Sequence, residues 1–336
     1  MLIPSNSAKE LPKSHRARSV GIGRAHAKAI LLGEHAVVHG APALALPIPQ
    51  LTATASAGWS PHSSDGPGDM SLTMTGSASR PMVTQASESL RRLTAEFRAA
   101  TGVSDRLHLD MIIDCAIPPG RGLGSSAACA RAVVLALADL FDREVSPSTV
   151  FDLVQTAENV THGRASGVDA MAVGAAAPLL FQAGEVQELP VGCEGLFIIA
   201  DSGVEGRTKD AVALLREEFR RHPGSRERFV RGASQLTDEA RHLLATGRAE
   251  EFGSRLTDYH GLLRTAGLSI DRIDVLVEAA LAAGSLGAKM TGGGMGGCII
   301  ALTRSWQASE VARKLHEAGA VQTWVLPLRR LADDAP

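Results

Sequence analysis

Residues 118–134, PPGRGLGSSAACARAVV, constrain this chain more than any other stretch. Two prolines end whatever precedes them. Three glycines then fall within five residues, and two serines open an alanine-rich apolar run. Glycine admits positive φ and close backbone approach, so successive N–H groups can turn toward one anion. The helix that follows adds unpaired amides and the positive end of its dipole. One of Ser125 and Ser126 can cap that helix, and the other can ligate a hard cation such as Mg²⁺. A plain turn with a serine cap would use the same residues. The phosphate loop G-x-x-x-x-G-K-[ST] is not met, because no lysine follows these glycines. A phosphate held here needs its cation from elsewhere in the chain.

Lysine is scarce: six of the 34 basic residues, the other 28 being arginine. One of the six, Lys28, stands among apolar residues in AHAKAILLGEHAVVHG. An ammonium and a guanidinium are not interchangeable where a single phosphate oxygen is met. Two other segments suit the same chemistry. ENVTHGRASGVDA puts Glu158 and Asp169 on either side of a glycine-containing turn. Phosphoryl transfer to an alcohol uses a metal to neutralise phosphate charge and a carboxylate near the attacking hydroxyl. Taken singly, each acid reads as a solvated carboxylate or a helix cap. KMTGGGMGGC packs five glycines into six positions between apolar strands, more than a hairpin requires, which points to backbone lying against a ligand.

The rest of the chain bounds the answer. At 336 residues it is long enough for two domains. A net charge of −2 and 4% aromatics give no case for nucleic acid. No apolar run is long enough for a membrane span, and the N-terminus has no apolar core of a secretory signal. Cys115, Cys129, Cys193 and Cys298 form no paired motif and read as reduced thiols of a cytoplasmic protein. Alternation predicts strands at 27–32, 43–48, 107–117, 196–201, around LGAKMTG and CIIALT, and in VQTWVLPL. Helical spacing covers 87–100, 127–141, 148–161, 208–221, 226–245, 250–265, 270–283 and 307–318. Residues 60–80, rich in Ser, Gly and Pro, read as a loop or flap. A composition shift at 185–195 divides a domain over 21–190 from one over 191–330, after a frayed tail over 1–20. Strands and helices interleave without a regular βα repeat, which is an α+β pattern.

KAILLGEHAVVHG, PPGRGLGSSAA and KMTGGGMGGC, in that order, resemble the three motifs of the GHMP kinases. ENVTHGRASGVD, DSGVEGRTKDAV and YHGLLRTAGLS extend the resemblance toward the mevalonate kinases, over about residues 23–328. The resemblance implies a two-domain α+β fold with a ferredoxin-like C-terminal half and the site in the cleft between the halves. It implies ATP as co-substrate, Mg²⁺, and phosphorylation of the C5 hydroxyl of mevalonate in isoprenoid biosynthesis. The residues it implies around the nucleotide are Pro119, Gly120, Arg121, Gly122, Leu123, Gly124, Ser125, Ser126 and Ala127. Ser126 and Glu158 would hold Mg²⁺. Asp169 would be the general base, with Lys28 beside it and the γ-phosphate. Lys28, Glu34, His35, Asp169, Thr208 and Gly293 would line the substrate pocket. The cation missing from the glycine loop is then Lys28, from the first motif. Neither nucleic acid nor membrane is implied as a partner, and a homodimer is left open.

Some positions depart from the family pattern. Met295 stands where glycine is usual and would be strained if φ there is positive. Arg121 replaces a small residue and either touches phosphate or faces water. Thr208 serves as helix cap or substrate contact. His26, His39 and His162 share no helical spacing with one another and read as structural or surface histidines. Phosphomevalonate or homoserine kinase is the alternative activity, and a non-catalytic binding relative is further off, because Lys28, Glu158 and Asp169 are all present.

Overall fold

The computed structural model describes residues 18–60, 70–76, 80–104, 108–163 and 165–328. The tail expected over residues 1–20 lies almost wholly outside these, as do 61–69 and 77–79 of the expected loop.

The first half is built around one long strand. Strand β1 (Val20–Leu32) runs antiparallel to β2 (Ala43–Trp59) along nearly its whole length. On its other side β2 pairs with β4 (Leu109–Cys115) at one end and with β5 (Leu179–Gln182) at the other. Strand β3 (Met70–Gly76) joins β4 in parallel, and β6 (Glu185–Glu188) closes the far edge. Among the described residues this makes a six-stranded sheet. One sequence expectation is corrected here. Residues 70–76 are strand within the expected loop: MSLTMTG offers the threonines and period-two alternation that suit a sheet edge. The composition shift at 185–195 spans β6 and the segment that leads into the next sheet.

Exposure in β1 alternates from Val20 to Ala25 and gives way to continuous burial from Ala27, where the strand passes beneath both halves. Helix α1 (Arg80–Thr101) precedes β4. Helix α2 (Ser125–Leu140) lies against β1, its buried face made of Ala, Val, Leu and Cys. Small residues let the two backbones approach closely. A Cβ on Gly23 would stand 2.0 Å from the carbonyl oxygen of Ala132, so a side chain there would push the helix off the sheet. Helices α3 (Pro147–His162) and α4 (Val168–Ala172) complete this half; Ser146 caps α3 by accepting from Thr149 N.

The second half is a four-stranded antiparallel sheet in the order β10 (Gln322–Pro327), β7 (Leu196–Asp201), β9 (Cys298–Thr303), β8 (Gly287–Thr291). Numbered within the half, the order is 4-1-3-2, the ferredoxin-like arrangement. Helices α5 (Thr208–Arg221), α6 (Ser225–Ala245), α7 (Ala249–Thr265) and α8 (Asp271–Ala282) fill the crossover from β7 to β8, and α9 (Ala308–Glu317) joins β9 to β10. One continuous cluster of buried apolar residues runs through both sheets, from Ala25 to Leu328. No described helix is long and apolar enough to cross a membrane.

Candidate active site

The glycine loop enters α2 as the sequence requires. Gly120, Gly122 and Gly124 all have positive φ (68°, 77° and 74°). Gly122 also touches the other half: its Cβ would lie 2.8 Å from the carbonyl oxygen of Thr291. Gly124 itself is the N-cap of α2, and no side chain caps the helix. This corrects the expectation that a serine would do so. Ser125 and Ser126 sit inside the first turn, and the first helical bond runs from Ala128 N to Gly124 O. The serine amides precede that bond and have no helical acceptor. Leu123 and Ala127 are turned into the core, 1% and 0% exposed.

Lys28 reaches this loop from β1. It is 2% exposed, donates through Nζ to the carbonyl of Gly122 at 3.1 Å, and pairs with Asp169 at 3.0 Å. The backbone reinforces the placement, with Lys28 N donating to Leu123 O at 3.0 Å. Asp169 stands in the first turn of α4, which starts at Gly167 (φ 94°), and keeps a third of its side chain exposed. Glu158, near the end of α3, is buried. Burial, then the charge of Asp169, pushes its carboxyl up to about 7, opposed by a hydrogen bond from Ser126. Its Oε1 is buried without a partner. His162 Nε2 lies 3.8 Å from Glu158 Oε2 and 3.5 Å from Ser126 Oγ.

An orphaned carboxylate oxygen beside a hydroxyl, under a loop of amides, suits a hard cation shared with phosphate. Among the described residues no group of three or more His, Cys, Asp or Glu side chains could hold a metal alone. Ser126 and Glu158 are therefore a set that phosphate oxygens and water must complete.

A second group gathers at the turn after β1. Glu34 is buried and ion-paired with Lys289, and its Oε2 has no partner. His35 takes φ 61°, hydrogen-bonds the backbone of Gly293, and leaves a buried Nε2 without a partner. Burial pulls its pKa down to about 4, so the ring is neutral at pH 7. Thr208 opens α5 directly over Gly293, where a Cβ would stand 1.9 Å from the Thr208 hydroxyl. The predicted residues thus form two neighbouring groups, Lys28–Asp169–Glu158–Ser126 and Glu34–His35–Gly293–Thr208.

Arg121 is turned toward the second half and keeps 19% of its side chain exposed. Its guanidinium pairs with Asp201 at the end of β7 at 2.9 Å and donates to Gly203 O at 3.2 Å. Arg207, just ahead of α5, forms an exposed pair with Asp210. Met295 does have positive φ (56°), and its side chain packs against the core. The sequence reading gave three of the residues gathered here no role in the site. His162 stands four residues after Glu158 on one helix, a spacing that could have paired them. Lys289 is one of the few lysines and immediately precedes the third glycine motif. Asp201 closes an apolar strand, and nothing in its own neighbourhood ties it to Arg121.

Comparison with known proteins identifies the family and the fold. The family model of the GHMP kinase N-terminal domain matches residues 85–176, and that of the C-terminal domain matches 240–321. A mevalonate kinase of Pyrococcus horikoshii is 32% identical over 89% of this chain and 93% of its own length. A crystal structure of Leishmania major mevalonate kinase in complex with R-mevalonate superposes with a TM-score of 0.80 at 23% identity, covering 93% of this chain and 98% of that one. Phosphomevalonate kinase of Streptococcus pneumoniae, in complex with phosphomevalonate and AMPPNP, superposes at 0.75 with 18% identity, covering 91% and 99%. The fold is common to kinases of different substrates, so the substrate must be argued from side chains.

Proposed function

This chain belongs to the GHMP kinases, and from that premise we propose that it transfers the γ-phosphoryl group of ATP to the C5 hydroxyl of (R)-mevalonate, giving 5-phosphomevalonate and ADP. The observation that carries the mechanism is the contact between Lys28 and Asp169 at 3.0 Å, with the same ammonium on the glycine-loop carbonyl at 3.1 Å. One carboxylate and one cation thus stand together where the phosphate loop meets the cleft.

Asp169 is the group that accepts the hydroxyl proton. In a loose, metaphosphate-like transition state the proton leaves late, so a strong base is not needed. Lys28 beside it offsets the negative charge that develops on the alcohol oxygen and the moving phosphoryl group. Gly120, Gly122 and the amides of Ser125 and Ser126 cradle the phosphates. Ser126 and Glu158 would hold Mg²⁺, which neutralises phosphate charge when bound. Glu34, His35, Thr208 and Gly293 form the wall on which the hydroxy acid lies. ATP and a small hydroxy acid are solutes of the cytoplasm, where we place the reaction.

The test is a coupled ADP-release assay with mevalonate, phosphomevalonate, homoserine and galactose as separate acceptors. Mevalonate should give the highest kcat/KM, and faster turnover of any of the others would reassign the substrate.

A further inference from the structure

Lys289 is wholly buried and paired with a carboxylate, and it belongs to none of the phosphate chemistry above. Its ammonium contacts Glu34 Oε1 and the carbonyl of Met290, donates to Ile30 O at 3.4 Å, and lies 5.6 Å from the centroid of the Tyr259 ring. The Tyr259 hydroxyl donates to the backbone carbonyl of Glu34 at 3.0 Å. Two side chains of the second half, from β8 and α7, therefore fix one residue of the first half by side chain and backbone together. Next to the clamped atoms are two unclamped ones. Glu34 Oε2 and His35 Nε2 are both buried and both without partners. A buried polar atom left so keeps its desolvation cost uncompensated, and His35 adds the strain of a left-handed backbone. Buried ion pairs are often no better for stability than apolar packing, so their use points to specificity of arrangement.

We propose that Lys289 is a positioning residue for the alcohol substrate: by holding Oε1 of Glu34 it leaves Oε2, with His35 Nε2 beside it, as the pair of acceptors that the substrate's hydroxyl groups satisfy. With its other ring nitrogen engaged by Gly293, a neutral His35 presents Nε2 as an acceptor. A carboxylate oxygen is an acceptor too. Two acceptors therefore call for hydroxyl donors and leave the substrate's own carboxylate to other groups. The clamp crosses from one half to the other, so alcohol recognition depends on both, whereas the nucleotide loop does not touch Lys289.

The inference rests on the reaction proposed above, and the experiment separates the two. Turnover by the unaltered enzyme of another alcohol but not mevalonate would overturn that reaction, and the variants would then be measured on the alcohol it accepts. Steady-state constants and melting temperatures are compared for Lys289→Met, Glu34→Gln and the double variant, which buries no charge and so keeps a foldable control. Lys289→Met should raise KM for the alcohol about tenfold or more while KM for ATP stays within about twofold. Added to Glu34→Gln, it should cost less than about threefold in kcat/KM, because its target is already gone. Equal rises in both KM values, or a loss in the Glu34→Gln background as large as in the unaltered enzyme, would make Lys289 a structural residue only.

Discussion

Lys28 and Asp169 share one ion pair, so their substitutions should not behave independently. Asp169→Asn keeps the shape and removes the proton acceptor; we expect kcat to fall about 10²–10⁴-fold with ATP affinity nearly kept. Lys28→Met should also lower kcat, and the double variant should lose less than the product of the two. Near-full kcat in Asp169→Asn would end its assignment as base. A different residue contributes to the response to acid. His260 lies between Asp274, at 3.2 Å, and the amide of Met290, and burial pulls its pKa from 6.5 to about 4. The unfolded ring takes up its proton near 6.5 and the folded ring only near 4, so its contribution is whole above pH 6.5 and is lost as pH falls toward 4. Urea unfolding followed from pH 7 to 4 should show stability falling, and His260→Phe should remove up to about 1.4 kcal/mol per pH unit of that slope. An unchanged slope would refute the assignment.

The glycine loop and the turn after β7 work as one element. Arg121 is bound to Asp201, Gly206 N donates to Gly120 O at 2.8 Å, and Gly297 N donates to Val204 O at 2.8 Å. The second half thus holds the nucleotide loop in shape without a side chain on the phosphates. Arg121→Ala should raise KM for ATP several-fold and leave KM for mevalonate nearly unchanged, the reverse of the pattern expected for Lys289→Met. It should also lower stability, by less than the about 3–5 kcal/mol of a fully buried pair, because Arg121 keeps 19% of its side chain exposed. Equal changes in both KM values would mean that the latch supports the fold and not the loop. The glycine loop itself was legible in sequence, because its spacing has few backbone solutions. The latch was not: Arg121 and Asp201 are 80 residues apart, and each alone reads as an ordinary surface charge.

Across the whole molecule, the two sheets share one core, and β1 is tied to β8 by Thr291, whose hydroxyl accepts from Ile30 N and donates to Ile30 O, both at 3.0 Å. Neither sheet offers a face that tolerates water where they meet. Calorimetry should therefore show a single transition, with the environments of Trp59 in the first half and Trp324 in the second changing together; two separated transitions would show that the halves fold independently. The sequence by itself determined the elements with strong period, the glycine loop, and the three motifs whose order marks the family, because these depend on residues close along the chain. Strands β3, β5 and β6 escaped it, since each is short and β3 and β6 lie at the sheet edges, paired on one side only. Only the tertiary structure decided that Gly124 and not a serine begins α2, that Arg121 turns to Asp201, and that Lys289 closes on Glu34 255 residues away. Each of those depends on which charges share a dry space, and burial and pairing are set by the packing of distant segments, which local periodicity does not record.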